Sequence, residues 1–369
     1  MSSGNSVVLL TGATGLVGSE LLPRLLASRP DRRVVILTRS LDKMDALGQK
    51  EQITAIEGDI TRSGLGIDSV TLRQIQREVT EIIHCAAETR FDLPIEEARA
   101  TNARGTSNVL RIARACSRLE KLAHLSTVYV AGRTTGHVFE TRLCNGEGFV
   151  NTYQQSKLEA EQIVLDAMAD IPAVIYRLST IIGDSASGCV KQFNYFHQLL
   201  RLLPRNVMPV TPGDPSWLID VIPTDWSISA LAFLFERCFV PGEVLHISAG
   251  PNGSPTMADV REQTMELFER HPLVEKWLPI KVPAFVSLSA YEEYVEKSLR
   301  SGDNLLIELL KVLNQFLPQM GIDQCFDNNR VLHKLEGSGI TLPPFRTYYG
   351  KVLRHCLETN WGRKRAVPQ

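Results

Sequence analysis

Short apolar runs without polar alternation recur along the first half of the chain: Val7-Val8-Leu9-Leu10, Val34-Val35-Ile36-Leu37, Ile53-Thr54-Ala55-Ile56, Ile82-Ile83-His84-Cys85 and Leu122-Ala123-His124-Leu125. A strand with one wet face alternates, so such runs predict strands covered on both faces, as in a parallel sheet between helical layers. The stretches between them, 19–29, 69–79 and 105–118, place apolar residues at helical spacing, and 173–178 and 243–248 read as two further strands. This βαβα order predicts an α/β fold with an open, Rossmann-like doubly wound parallel sheet. Pro204, Pro209, Pro212 and Pro215 mark an excursion from it over 184–219, and after Gly250 the pattern turns mostly helical. At about 150 residues per domain, 369 residues make two domains. We expect a nucleotide-binding domain at 1–183 and 220–250, and a smaller, mostly helical substrate-binding domain at 184–219 and 251–369. Leu305, Leu306, Leu309, Leu310, Leu313, Phe316 and Leu317 form one helical stripe, read as core or dimer contact, so a monomer or homodimer is expected.

Composition narrows the class. Lys plus Arg is 40 against 41 for Asp plus Glu, and the only basic cluster is Arg363-Lys364-Arg365, so nucleic acid is not the expected partner. The longest apolar run, Ala230 to Phe235, is far short of the ~20 residues that span a bilayer. The seven cysteines are scattered without a C-x-x-C; a reducing, cytoplasmic setting fits, and no metal site is expected.

The first candidate chemistry lies in Thr11-Gly12-Ala13-Thr14-Gly15-Leu16-Val17-Gly18, between the first strand and the first helix. Glycines here let the backbone turn tightly, approach a pyrophosphate at the helix N-terminus and pack helix on sheet. The second strand ends Leu37-Thr38-Arg39-Ser40, with an arginine where NAD enzymes usually carry an acid, which favours NADPH. Asp59 after the third strand is placed to accept from an adenine amino group. Tyr153-Gln154-Gln155-Ser156-Lys157 sets a phenol and an ammonium on one helical face. Lys157 and a nicotinium ring are expected to pull the Tyr153 pKa down from about 10 by up to ~3 units. Ser126-Thr127, ending a buried strand, offers a hydroxyl for a substrate oxygen.

These motifs resemble the extended short-chain dehydrogenase/reductase superfamily over residues 6–250: the glycine turn, Gly58-Asp59, His84-Cys85-Ala86-Ala87, Asn102 with Gly105-Thr106, Ser126-Thr127 and the Tyr153/Lys157 pair. Within it, Phe91-Asp92, His124 to Val130, Asn151-Thr152-Tyr153 and Arg177 to Gly188 resemble the branch of fatty acyl-CoA reductases and thioester reductase domains. The last stretch departs from that branch's pattern at Leu178 and Ser179. The resemblance implies a catalytic Thr127, Tyr153 and Lys157, with Ser126 the neighbouring hydroxyl. It implies cofactor contacts from Gly12, Thr14, Gly15, Leu16, Gly18, Arg39, Asp59, Ile60, Ala86, Ala87, Ser126, Tyr153 and Lys157. It also implies reduction of an acyl thioester, carried by coenzyme A or an acyl or peptidyl carrier protein, to an aldehyde or alcohol. The alternatives are a ketone or aldehyde reductase, a nucleotide-sugar epimerase or dehydratase, and a non-catalytic NADP-binding sensor. Gly66-Ile67-Asp68-Ser69-Val70 looks like a pantetheine attachment site but reads as a helix cap at Asp68. His84 and Cys85 read as packing residues, and Asp225 as an N-cap.

Overall fold

The computed structural model describes residues 6–42, 51–144, 146–277, 279–300 and 303–363. Lys364-Arg365, the outermost residues of the expected domain bounds and the Leu305 side chain lie outside the described residues. The apolar runs form β1 (Val7–Thr11), β2 (Arg33–Thr38), β3 (Ile53–Glu57), β4 (Glu81–His84), β5 (Lys121–Thr127), β6 (Ala173–Leu178) and β7 (Val244–Ile247). They pair in one parallel sheet in the order β7-β6-β5-β4-β1-β2-β3. The expected α/β class is borne out. Only β3 departs from two-sided burial: as an edge strand it is partly buried at best.

Successive residues of β1 face opposite layers. Val8 and Leu10 pack with α1 (Leu16–Ser28) and the helix Thr224–Arg237, whereas Val7 and Leu9 pack with α2 (Ser69–Glu78), α3 (Gly105–Ala115) and α4 (Thr152–Ala167). Helix α2 starts where Asp68 accepts from the Val70 and Thr71 amides, and Ser69 is exposed there. Helix α3 is entered through Ile95–Arg99 and a π-helical turn, Ala100–Arg104. Chain order reverses at β1, between β4 and β2, so the carboxyl ends there open a crevice in which α/β proteins bind ligands.

The C-terminal chain returns to this crevice through short parallel pairs. Thr180–Ile181 meets Val221–Ile222, Val210–Pro212 meets Ala284–Val286, and Gly136–Val138 meets Gln324–Phe326. Helix α5 (Tyr195–Leu202) rises from the 184–219 excursion behind an Asn194 capping box. Leu310, Leu313, Phe316 and Leu317 are buried beside it, so those stripe positions are core. One expectation fails. Pro223, not Asp225, precedes the helix Thr224–Arg237, and the Asp225 carboxylate instead accepts from the Ser185 amide and hydroxyl. A cap must stand outside the first turn; Asp225 is inside it.

Within this apolar scaffold β6 carries Arg177, fully buried, whose Nε and Nη2 donate to the Glu161 carboxylate at 3.0 and 2.7 Å, with His246 Nε2 3.1 Å from Nη1. Removing one charge of such a pair strands the other in a low-dielectric interior, at about 3–5 kcal/mol. Glu161→Gln is therefore expected to lose that much stability in urea unfolding. A loss below about 1 kcal/mol would mean that the pair is hydrated in solution.

Candidate active site

The β1–α1 turn places Gly12 against the end of β4. Its φ is +74°, and a Cβ there would lie 2.6 Å from the Ala86 nitrogen, while one on Gly18 would lie 2.3 Å from the Gly12 oxygen. Glycine is the residue that both contacts admit. Thr14 and Gly15 are exposed, and Gly15 stands at the N-cap of α1 with no side-chain cap. An uncapped helix N-terminus beside a tight glycine turn fits a pyrophosphate. Leu16 packs on the core from the first turn of α1. Arg39 is exposed just past β2. Asp59 Oδ1 accepts from the Thr61 amide at 2.8 Å, and Ile60 lies against Gly105, with its carbonyl accepting from Asn108 Nδ2.

Beneath this turn runs a polar chain whose proton order follows from valence. Thr106 Oγ1 donates to the Asn102 carbonyl at 2.6 Å, so it accepts from His84 Nε2. His84 Nδ1 then accepts from Thr11 Oγ1 at 2.8 Å, and Thr11 accepts from the Ala86 amide at 3.2 Å. That order requires a neutral imidazole, and burial pushes the His84 pKa down to about 3. His84 is thus a strut between β1, β4 and α3. Cys85, raised to about 12 by burial, holds its proton. Ala86 and Ala87 lie just beyond, partly buried.

Helix α4 is aimed by its first residues. Asn151 caps it, and Thr152 Oγ1 donates to the Leu93 carbonyl at 2.8 Å. One turn on, Ser156 Oγ donates to the Tyr153 carbonyl and accepts from Asn102 Nδ2, which also donates to the Glu88 carbonyl. Lys157 Nζ reaches the Leu125 carbonyl of β5 at 2.7 Å. The helix is thereby held to the strand that ends in Ser126 and Thr127, and the Tyr153 and Thr127 side chains share a hydrogen bond. Thr127 also caps the next turn, accepting from the Tyr129 amide. Ser126 Oγ is buried without a partner.

The expected downward shift of Tyr153 does not hold for the chain's own residues. Burial, only partly opposed by the Thr127 bond, pushes its pKa up to about 12. Burial likewise holds Lys157 down to about 8, against the pull of Glu161 and Cys85. Each shift favours the neutral form of its group, upward for the phenol and downward for the ammonium, because desolvation outweighs charge proximity.

Outward of Tyr153 lies a layer that no motif announced. Phe91 packs between the Tyr153 and Tyr195 rings, with centroids 5.5 and 5.7 Å away. The hydroxyls of Tyr195, Tyr129 and Thr180 form a triangle with sides of 2.7, 3.1 and 2.7 Å. Gln154 leads through Gln319 to Gln324 in a relay of amide bonds. Beside the triangle opens a small cleft lined by Tyr129, Tyr195 and Phe326. Through Phe196, Leu199, Ile219, Met257 and Met320 it adjoins a second lobe, walled almost wholly by apolar side chains. Among the described residues there is no His, Cys, Asp and Glu cluster fit for a metal and no helix long and apolar enough to cross a membrane.

Residues 10–231 match the family model described as NAD-binding, male sterility protein. The fatty acyl-CoA reductase wat of Drosophila melanogaster is 25% identical over 272 residues, which are 61% of this chain and 53% of that protein. The isonitrile lipopeptide synthase of Streptomyces coeruleorubidus is 30% identical over 247 residues, 62% of this chain and 16% of the synthase. The chain thus spans about half or less of these relatives. Among solved structures, the terminal R domain of the myxalamid PKS-NRPS pathway superposes with a TM-score of 0.79 at 24% identity, covering 98% of this chain and 93% of that domain.

The Lys157 shift gives a test with a definite sign. Its folded value, about 8, lies below the ordinary 10.5, so between those pH values the unfolded chain binds the extra proton and stability rises with pH. Below pH 8 the full penalty is present. Lys157→Met, which keeps the volume and drops the charge, is expected to unfold at higher urea than wild type at pH 7, by up to roughly 3 kcal/mol. The gain shrinks toward pH 10.5. A pH-independent difference, or a loss at pH 7, contradicts the buried-charge assignment.

Proposed function

The chain belongs to the NAD-binding male sterility protein family, and from that premise we propose that it is an NADPH-dependent reductase of acyl thioesters. The observation that carries this reading is the apolar two-lobed cleft reached past Phe91, Tyr129 and Tyr195. Burying an alkyl or similar acyl tail there is favourable by about 0.8 kcal/mol per methylene, whereas a nucleotide sugar would leave its hydroxyls without partners in the inner lobe. We assign the segments 184–219 and 251–369, which supply most of the lining residues, to substrate binding.

The glycine turn Gly12, Thr14, Gly15, Leu16 and Gly18 would hold the cofactor's pyrophosphate. Asp59 and Ile60 would lie at the adenine, Arg39 at a 2′-phosphate, and Ala86, Ala87, Ser126 and Lys157 along the remainder. When bound, the nicotinamide supplies the hydride. The chain's own part is proton placement. Thr127 and Tyr153 hold the thioester oxygen with their hydroxyls, and negative charge that develops there is met by fixed donors. The Tyr153 phenol carries its proton at neutral pH, and burial, which raises its pKa, must be offset by the cofactor's positive ring for that proton to be given up readily. Tyr153 gives that proton to the oxygen, and the hemithioacetal then breaks its C–S bond to leave an aldehyde and a thiol. A second round would give the alcohol. Asn102 and Ser156 are positioning residues: they set the first turn of α4, and with it the Tyr153 ring. The thiol belongs to coenzyme A or to a carrier protein's pantetheine.

With an acyl-CoA and saturating NADPH, Tyr153→Phe is expected to lower kcat about 10²–10⁴-fold. Wild-type turnover in the variant would remove Tyr153 from the mechanism. Arg39→Ala is expected to weaken NADPH about tenfold and leave NADH as it was. Equal losses for both nucleotides would remove the role given to Arg39.

A further inference from the structure

Helix α5 carries a charge that its surroundings do not answer. Arg201 Nε and Nη1 are buried with no hydrogen-bond partner. Burial first, then Arg363 and Arg205, hold the guanidinium down to about 10, so the charges around it share its sign. The fully buried arginines are met: Arg32 by Glu81 and Glu236, and Arg177 by Glu161. A guanidinium cannot shed its proton near neutrality, and buried donors without acceptors are costly, so an unanswered one marks a place for an anion.

The geometry is that of a built cluster. Arg201 and Arg205 come from α5 and the turn Leu203–Arg205, and Arg363 follows the turn Asn360–Gly362, which packs on α5. Trp361, buried with φ +56°, fixes that turn, and Arg205 lies over the Trp277 ring at 5.8 Å. Arg201 is partly exposed and the other two are exposed, so the cluster opens to solvent. At its other end α5 delivers Tyr195 to the hydroxyl triangle near Tyr153. Six helical steps separate Tyr195 from Arg201, about 9 Å along the axis. The cofactor's own phosphates are assigned elsewhere, to the ends of β1 and β2, and two strands lie between β1 and the β6 end from which Thr180 leads.

We propose that Arg201, Arg205 and Arg363 form a receptor for the phosphate groups that accompany a pantetheine thioester. The proposal rests on the thioester reading: one helix would then hold the acyl end at Tyr195 and the phosphate end at Arg201, with the flexible arm between. Forked guanidinium groups suit phosphate oxygens. The source is coenzyme A or a carrier-bound phosphopantetheine.

Calorimetry on the full chain with inorganic phosphate, coenzyme A, 3′-dephospho-coenzyme A and pantetheine tests this. Coenzyme A is expected to bind at least about tenfold more tightly than pantetheine, and Arg201→Gln should remove most of that preference. Arg205→Gln/Arg363→Gln, at exposed positions where folding is not in question, should do the same. A preference lost with 3′-dephospho-coenzyme A assigns the cluster to the nucleotide's 3′-phosphate. One retained assigns it to the phosphates nearer the arm, the first of which a carrier shares. Equal binding of coenzyme A and pantetheine, or variants that bind as wild type does, overturns the proposal. Failure of the thioester reading shows separately, as no reduction of acyl-pantetheine or acyl-CoA. Loss of inorganic phosphate binding in both variants would then still establish the anion site, and its persistence would refute it.

Discussion

The hydrogen bond from Lys157 Nζ to the Leu125 carbonyl is the interaction on which the crevice depends. It ties α4 to β5 at the level where the strand ends, and so sets Tyr153 against Thr127. A buried ammonium is expensive, and here it is held by a main-chain acceptor with Glu161 in electrostatic range. Glu161 in turn grips Arg177 on β6. One helix thus bridges two central strands through charge, and the strand ends that it aligns carry the candidate chemistry.

A second constraint is steric. The Gly12 backbone lies so close to Cys85 and Ala86 that no side chain fits, and the Thr11–His84–Thr106 chain beneath it leaves no freedom in proton order. The turn that would cradle phosphates and the strand end that would face a nicotinamide are therefore parts of one rigid unit. Preorganisation of this kind favours a fixed polar site over one that water must rearrange.

Much of this was legible from the residues alone, for reasons that can be stated. Val7 to Leu10 and Val34 to Leu37 lack polar alternation because both faces are covered, and that signal survives in sequence order. The glycine turn and the Tyr153/Lys157 pair are local, so their spacing carries their geometry. Asp225 misled because an acid near a helix start has two uses, and here the Ser185 loop claims it. Among the protein's own groups, the Tyr153 shift runs upward because the burial that accompanies Lys157 outweighs its proximity. The cleft and the arginine cluster were not legible: Phe196, Met257 and Met320, like Arg201 and Arg363, meet only through tertiary packing, with no periodicity to announce them.

The central claim is that the electrophile is an acyl thioester. The direct measurement follows NADPH absorbance and free thiol together, offering acyl-CoA, a ketone and a nucleotide sugar to the wild-type protein. The account predicts NADPH consumption with the acyl-CoA alone, accompanied by thiol release. Consumption with the ketone or the sugar but not the thioester, or NADPH loss without thiol, would contradict it.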